Sequence, residues 1–194
     1  MVAPTKINFK MQQGGTFSEV IRWESSTIVY STVTGITKAA PMVVTAPGHG
    51  AVLGWRAKLT NVLGMTDVNT MDYAVITAVD TDTVSFNSID STGYKTYTSL
   101  GVLQYNQPMS LAPYTARMQI RQKLTSTDII ESLTTENGLI VLDDTLKTIT
   151  ITIPATTTET YDFKSAVYSL EMINGAIVTP LAYGNITLVK EITR

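Results

Sequence analysis

Residues 148–153 read Thr-Ile-Thr-Ile-Thr-Ile, and Pro154 follows. A strict period of two puts Ile149, Ile151 and Ile153 on one side of an extended chain and the threonines on the other, which is the pattern of a strand with one dry face. Stiff β-branched side chains favour the pleated surface, and proline, which cannot donate to a ladder, ends it. No window of core length carries 3.6-residue periodicity instead. With 194 residues, 44% of them hydrophobic and only 15% charged, the chain has ample apolar material for a core. The expectation is an all-β protein.

Alternation recurs along the chain. In residues 6–11, Ile7, Phe9 and Met11 face one way and Lys6, Asn8 and Lys10 the other, which predicts an edge-type antiparallel strand. Gln12 to Gly15 breaks it. A strand over 16–24 follows, anchored by Phe17, Ile21 and Trp23, with Glu19 on the same face and therefore at a bulge or an edge. Ser25-Ser26 signals a loop, and 28–33 a third short strand. After Pro108, Ala116, Met118 and Ile120 alternate with Arg117, Gln119 and Arg121. Residues 129–134 and 139–142 are strand candidates on either side of Asn137-Gly138, a hairpin signal. One helical turn or a loop fits 156–163. Tyr168, Leu170 and Met172 form another inward row, Asn174-Gly175 predicts a second type I′ hairpin, and the last strand covers 186–191.

Between these parts the texture differs. Residues 41–46 are a short apolar run, stopped by Pro47-Gly48-His49-Gly50, which demands a tight, specific loop. Trp55, Ala57 and Leu59 alternate with Arg56, Lys58 and Thr60. Residues 61–69 look like a loop, 73–79 and 84–89 like strands, and 80–83 like a turn. Short strands at this spacing suggest a small barrel or sandwich. The expected organisation is nested: a β-sandwich host domain from 1–31 and 109–194, interrupted by a small barrel-like β module over 32–108.

Charge and residue inventory exclude several classes of chemistry. Net charge is −2 with a pI near 5.4, and the 14 Lys and Arg are scattered, which suits neither nucleic acid nor a membrane surface. There is no cysteine, hence no disulfide scaffold, thiolate metal site or cysteine nucleophile. The first residues lack the apolar core of a signal peptide, and no apolar run reaches the roughly 18–20 residues of a membrane span, so a soluble protein is expected. His49 is the only histidine. Without a second imidazole or a thiolate it is expected to shape its loop and not to bind metal. Asp80 with Asp82, and Asp143 with Asp144, fall in turns, where aspartate is favoured for its own hydrogen bonds. No Gly-x-Ser-x-Gly elbow occurs, and no Gly-Lys-Ser/Thr follows Gly14-Gly15. Asn185-Ile-Thr187 fits a glycosylation acceptor, but no secretory signal accompanies it. No catalytic residue, cofactor or metal ligand is expected. Trp55, Tyr94, Tyr97 and Tyr105 are candidates to line a sugar or protein site; Trp55 is expected instead to pack the module's core, and the alternative for the tyrosines, open for Tyr94 and Tyr97, is to close the module's interface with the host domain.

Two resemblances sharpen this. Residues 36–50, with Gly64-Met65-Thr66, Val68-Asn69, Tyr73, Val84-Ser85-Phe86, Ile89 to Tyr94 and Tyr97, resemble the small β domain first named in ubiquitin-activating enzymes, the FCCH-like domain, which recurs as an accessory module in phage tail and fibre proteins. Gly54-Trp55-Arg56 departs from that pattern, which more often has Gly-Asp and a β-branched residue. The flanks carry Gln13-Gly14-Gly15-Thr16-Phe17, Trp23, Tyr114 to Arg121, Leu133 to Gly138, Ile149 to Pro154, Tyr168 to Glu171 and a closing Val189 to Arg194. These are similar to a family of tailed-phage virion proteins in which the equivalents of Trp23 and Tyr114 are nearly adjacent. The resemblance implies a non-enzymatic structural protein of the neck, collar, tail or baseplate. It would be made in the host cytoplasm, homo-oligomeric in the particle, and in contact with other virion proteins such as fibres. The alternatives are a head decoration protein and a carbohydrate-binding module that contacts the host cell. Ile7, Phe9 and Met11, the 186–194 strand, Tyr94 and Tyr97 are the expected interface positions.

Overall fold

The computed structural model describes residues 4–192. The strands, in chain order, are β1 (Thr5–Lys6), β2 (Phe9–Gln12), β3 (Phe17–Ile21), β4 (Glu24–Thr32), β5 (Gly35–Ile36), β6 (Met42–Thr45), β7 (Arg56–Leu63), β8 (Ala74–Val75), β9 (Ala78–Val79) and β10 (Thr83–Phe86). They continue with β11 (Ser99–Pro108), β12 (Thr115–Arg121), β13 (Glu131–Thr134), β14 (Ile140–Asp143), β15 (Thr148–Ile153), β16 (Ser165–Asn174) and β17 (Ile177–Val189). A 3-10 helix at Thr66–Thr70 and one helical turn, α1 (Ala155–Thr158), are the helical elements among the described residues. The protein is all-β, and its sheets pack on one another in sandwich fashion. It divides into two compact units: residues up to 23 with 110–144 and those from 148 onward, and residues 24–109 with 145–147. The sequence pattern suggests a boundary at 31/32. The structure gives β4 to the second unit, because β4 pairs with β11 from Thr32↔Val102 to Glu24↔Pro108.

In the first unit the larger sheet runs β1–β17–β16–β12–β13, with β2 also paired to β17. The smaller sheet is β14–β15–β3. The period-two rows decide which faces meet. Met118 and Ile120, Leu170 and Met172, Ile186 and Leu188 from one sheet, and Phe17, Ile140, Ile149, Ile151 and Ile153 from the other, form a single core. Glu19 is half-buried on β3, an edge strand, as its position predicts.

In the first unit three local expectations differ from the structure, and in the second Ser25-Ser26, expected as a loop, lies within β4. Residues 6–11 form an edge, but β1 and β2 run parallel to β17, because the chain passes next into β3 of the other sheet and does not turn back as a hairpin. Asn137-Gly138 is a corner between the sheets: β13 pairs with β12, and β14 with β15. There the Asn137 side chain accepts the N–H of Thr134 and of Leu139 and donates to Ser132, fixing the corner from within. The β16–β17 hairpin exists, but its loop is Gly175-Ala176, and Gly175 alone has positive φ, the pattern of a type II′ turn.

Gly184 has a packing reason. It lies opposite Tyr168, whose hydroxyl donates to the Ile7 carbonyl at 2.8 Å. A Cβ at Gly184 would collide with that same carbonyl. The glycine therefore lets the interrupted β1–β2 strand settle against β17.

The second unit is built from two antiparallel four-stranded sheets, β5–β6–β10–β9 and β4–β11–β7–β8. Met42, Val44, Val84 and Phe86 meet Ala57, Leu59, Val62, Leu103 and Tyr105 in its core. Residues 61–69 are not a simple loop. β7 continues to Leu63 through Asn61 in the left-handed region, and the chain then forms the 3-10 helix. Asn69 closes this segment: its amide accepts the Val62 N–H at 2.8 Å and donates to the Val62 carbonyl at 2.9 Å, doing for Val62 what a neighbouring strand would do.

Candidate functional site

The lone histidine is the hub of the Pro47–Gly50 loop. Its own N–H donates to the Ala46 carbonyl, and glycines on either side, both with positive φ, allow the tight path. The ring is 3% exposed. Nδ1 accepts the Ala51 N–H at 3.0 Å, so Nε2 carries the proton and donates to the Asp80 carbonyl at 3.0 Å. The Tyr105 hydroxyl donates to the His49 carbonyl at 2.6 Å, and burial pushes that phenol's pKa up. Both ring nitrogens are thus engaged within the loop, and the geometry is that of a structural residue.

The aspartate pairs are also spoken for. Asp80 caps Thr81 and Asp82 accepts the Gly48 N–H at 3.3 Å, so this pair braces the histidine loop. Asp144 accepts from the Leu111 N–H and the Ser110 hydroxyl. No group of three or more metal-ligating side chains gathers among the described residues.

The expected interface positions are distributed differently from the sequence pattern. Phe9 and Met11 are 7% and 1% exposed, and Ile7 packs half-buried against the same core, with Phe9 stacked on Tyr168 at 4.9 Å. As docking side chains these three are corrected: the face that alternation selects is the face the unit's own core takes. The C-terminal strand is corrected too, since β17 has β16 on one side and β1 and β2 on the other and is no edge. Residues 193–194, with residues 1–3, lie outside the described part. Tyr94 and Tyr97 are half-buried against the second unit's core, and the Tyr97 hydroxyl donates to the Val33 carbonyl at 3.1 Å. Trp55 is likewise half-buried there, 5.5 Å from the Tyr105 ring.

One outward feature of the first unit is backbone at the edge of its larger sheet. Ile7 and Gln13 donate their N–H groups toward β17. The period of two therefore turns the N–H groups of Asn8, Lys10 and Gln12 away from it. On the same unit a groove of about 620 Å³ lies over the outer face of the larger sheet, lined in part by Tyr183, Val167, Lys6 and Arg121. Its arginine is committed to the carbonyls of Ser126 and Thr127 and to the Gln119 side chain.

A second outward face was not singled out by sequence. On the second unit Tyr30, Gln104 and Lys58 stand in one cross-strand row, with Ile28 and Asn106 paired in the next and Arg56 two residues before Lys58 on β7. Tyr73 lies over this face. Its hydroxyl donates to Asn106 at 3.3 Å and accepts from Gln104 at 3.3 Å, and Lys58 Nζ sits 5.1 Å from its ring centroid. The alternation of 28–32 and of 102–106 was the available signal, but which strands adjoin them is not written in either segment. No protein-family model and no curated protein matches the chain.

Proposed function

We propose that the chain is a non-enzymatic structural protein of a tailed-phage virion, at the neck, collar, tail or baseplate, and that residues 24–109 are an FCCH-like accessory module. The sequence resemblances of both parts motivate this reading, and the nesting of the second unit between Trp23 and Ser110 agrees with it. The observation that carries it is the β1–β2 strand, which among the described residues pairs on one side only and turns the N–H groups of residues 8, 10 and 12 outward. An unpaired edge of this kind accepts a strand from another subunit. The partners are further copies of this chain and neighbouring virion proteins, in an interface of roughly 1,200–2,000 Å².

Lys10→Pro tests the reading. It removes an outward donor and leaves the bonds to β17 in place. Antibodies to the purified chain should label the tail, neck or baseplate of particles made by the genome that encodes it. The variant should fold but be lost from those particles. Label on the head alone favours a decoration protein. Absence from particles, or normal incorporation of the variant, overturns the assignment or its edge, respectively.

A further inference from the structure

We propose that the outward face of the β4–β11–β7 sheet binds an acidic oligosaccharide, with Tyr30 as the stacking surface and Lys58 as the carboxylate ligand. The inference stands on the second unit alone and does not depend on a virion role. Tyr30 and Lys58 each pair with Gln104, so their side chains share one face two strand spacings apart, about 10 Å. That separation suits neighbouring sugar units and not a single ring. Tyr30 is 62% exposed, and its ring has no aromatic or cationic neighbour among the described residues. Aliphatic sugar faces stack on such rings, and the residue paired with Tyr30 across the strands is the amide Gln104.

The charge on this face is arranged unequally. Arg56 forms a two-pronged bond with Glu24, at 3.0 and 2.8 Å, and is neutralised. Lys58 has no carboxylate within salt-bridge distance among the described residues and is held instead over the Tyr73 ring. That ring is itself fixed by Asn106 and Gln104, so the cation is positioned before any ligand arrives. A single uncompensated ammonium beside an exposed tyrosine and two amides is complementary to a carboxylate-bearing, hydroxyl-rich chain. A nucleic-acid strand would require a track of cations, and this chain carries net charge −2. A protein partner would require a more apolar centre than a face whose aliphatic members are Ile28 and Val102.

Affinity electrophoresis of the full chain tests this, with polygalacturonate, a neutral glucan or a single-stranded oligothymidylate as the probe. Polygalacturonate should retard the protein. Lys58→Gln and Tyr30→Ala should each weaken that retardation about tenfold, whereas Lys95→Gln, at an exposed lysine off this face, should leave it unchanged. Circular dichroism should show all three variants folded. The proposal fails if polygalacturonate gives no retardation, if the neutral glucan or the oligonucleotide retards the chain as strongly, or if Lys95→Gln matches Lys58→Gln. It also fails if the Lys58 and Tyr30 variants behave as the parent.

Discussion

The two units are made of the same residue types, yet they rely on side-chain ties in their connections to different extents. The first unit's core is a stack of inward rows: Ile149, Ile151 and Ile153 from β15 face Met118, Ile120, Leu170 and Met172 across the sandwich. The second unit has such rows too, but its short strands are tied by side chains in its connections. His49 braces one loop and Asn69 another. Ser91, fully buried, has its one hydroxyl proton between the carbonyls of Thr37 and Ala39, at 2.7 and 2.9 Å, and accepts the Ala39 N–H. Long strands bury enough apolar surface to order themselves. Both units also contain strands of two to four residues, which bury less, and polar side chains that satisfy loop backbone support them, as Asn137 does at the first unit's corner and His49, Asn69 and Ser91 do in the second unit.

That contrast can be broken by substitution. Ile151→Ala should have the largest effect, about 4 kcal/mol, because it opens a cavity in a row that cannot collapse. Urea denaturation followed by signals from each unit should assign the loss to the first unit, and an equal loss in both would mean that the cores are not separate. Gly184→Ala should cost about 3 kcal/mol, since the added methyl meets backbone and not a flexible side chain. Hydrogen exchange should show β1 and β2 released from β17; retained protection there would refute the proposed contact.

His49→Ala should cost about 2 kcal/mol, by leaving the Ala51 N–H and the Asp80 carbonyl unpartnered. The loss should appear in the second unit, and a loss in the first would erase the distinction drawn above.

High pH sharpens the comparison further. In the first unit Tyr161 and Tyr168 are held neutral well above the usual phenol range, chiefly by burial, and by the carboxylates of Glu131 and Glu19 respectively. In the second, burial raises Tyr105. In each case the unfolded phenol ionises near 10.0 while the folded one keeps its proton. The stabilisation is therefore complete below pH 10 and is lost as the pH climbs toward the folded-state values. Denaturation at pH 9 and pH 11.5 should show the first unit weakening more; stability that does not fall above pH 10 would contradict the burial of these hydroxyls. The smallest effect belongs to Thr150→Ala. Thr150 is half-buried on the outer face of β15 between Val20 and Val141, and the change should stay within about 0.5 kcal/mol by thermal melting.

Much of the candidate site was legible in outline. Alternation placed Phe9 and Met11 on one face, and the loop chemistry around His49 predicted a structural role. What alternation could not say is whether an apolar face meets the chain's own core or another molecule. Phe9 and Met11 meet their own core. The outward row of Tyr30, Gln104 and Lys58 needed knowledge of the pairing, because 28–32, 56–63 and 99–108 are far apart in sequence and adjacent only through β11.

The sequence by itself determined that the chain is all-β and which side chains of each long strand turn inward, because a period of two is a property of the extended backbone and needs no partner. Only the tertiary structure decided which strand lies beside which. The direction of β1 and β2, the corner at Asn137-Gly138 and the membership of β4 in the second unit all depend on hydrogen bonds between residues distant in the chain. Backbone N–H and C=O groups are the same in every residue, so local sequence says that a strand needs a neighbour and leaves the choice of neighbour to the packing of the whole.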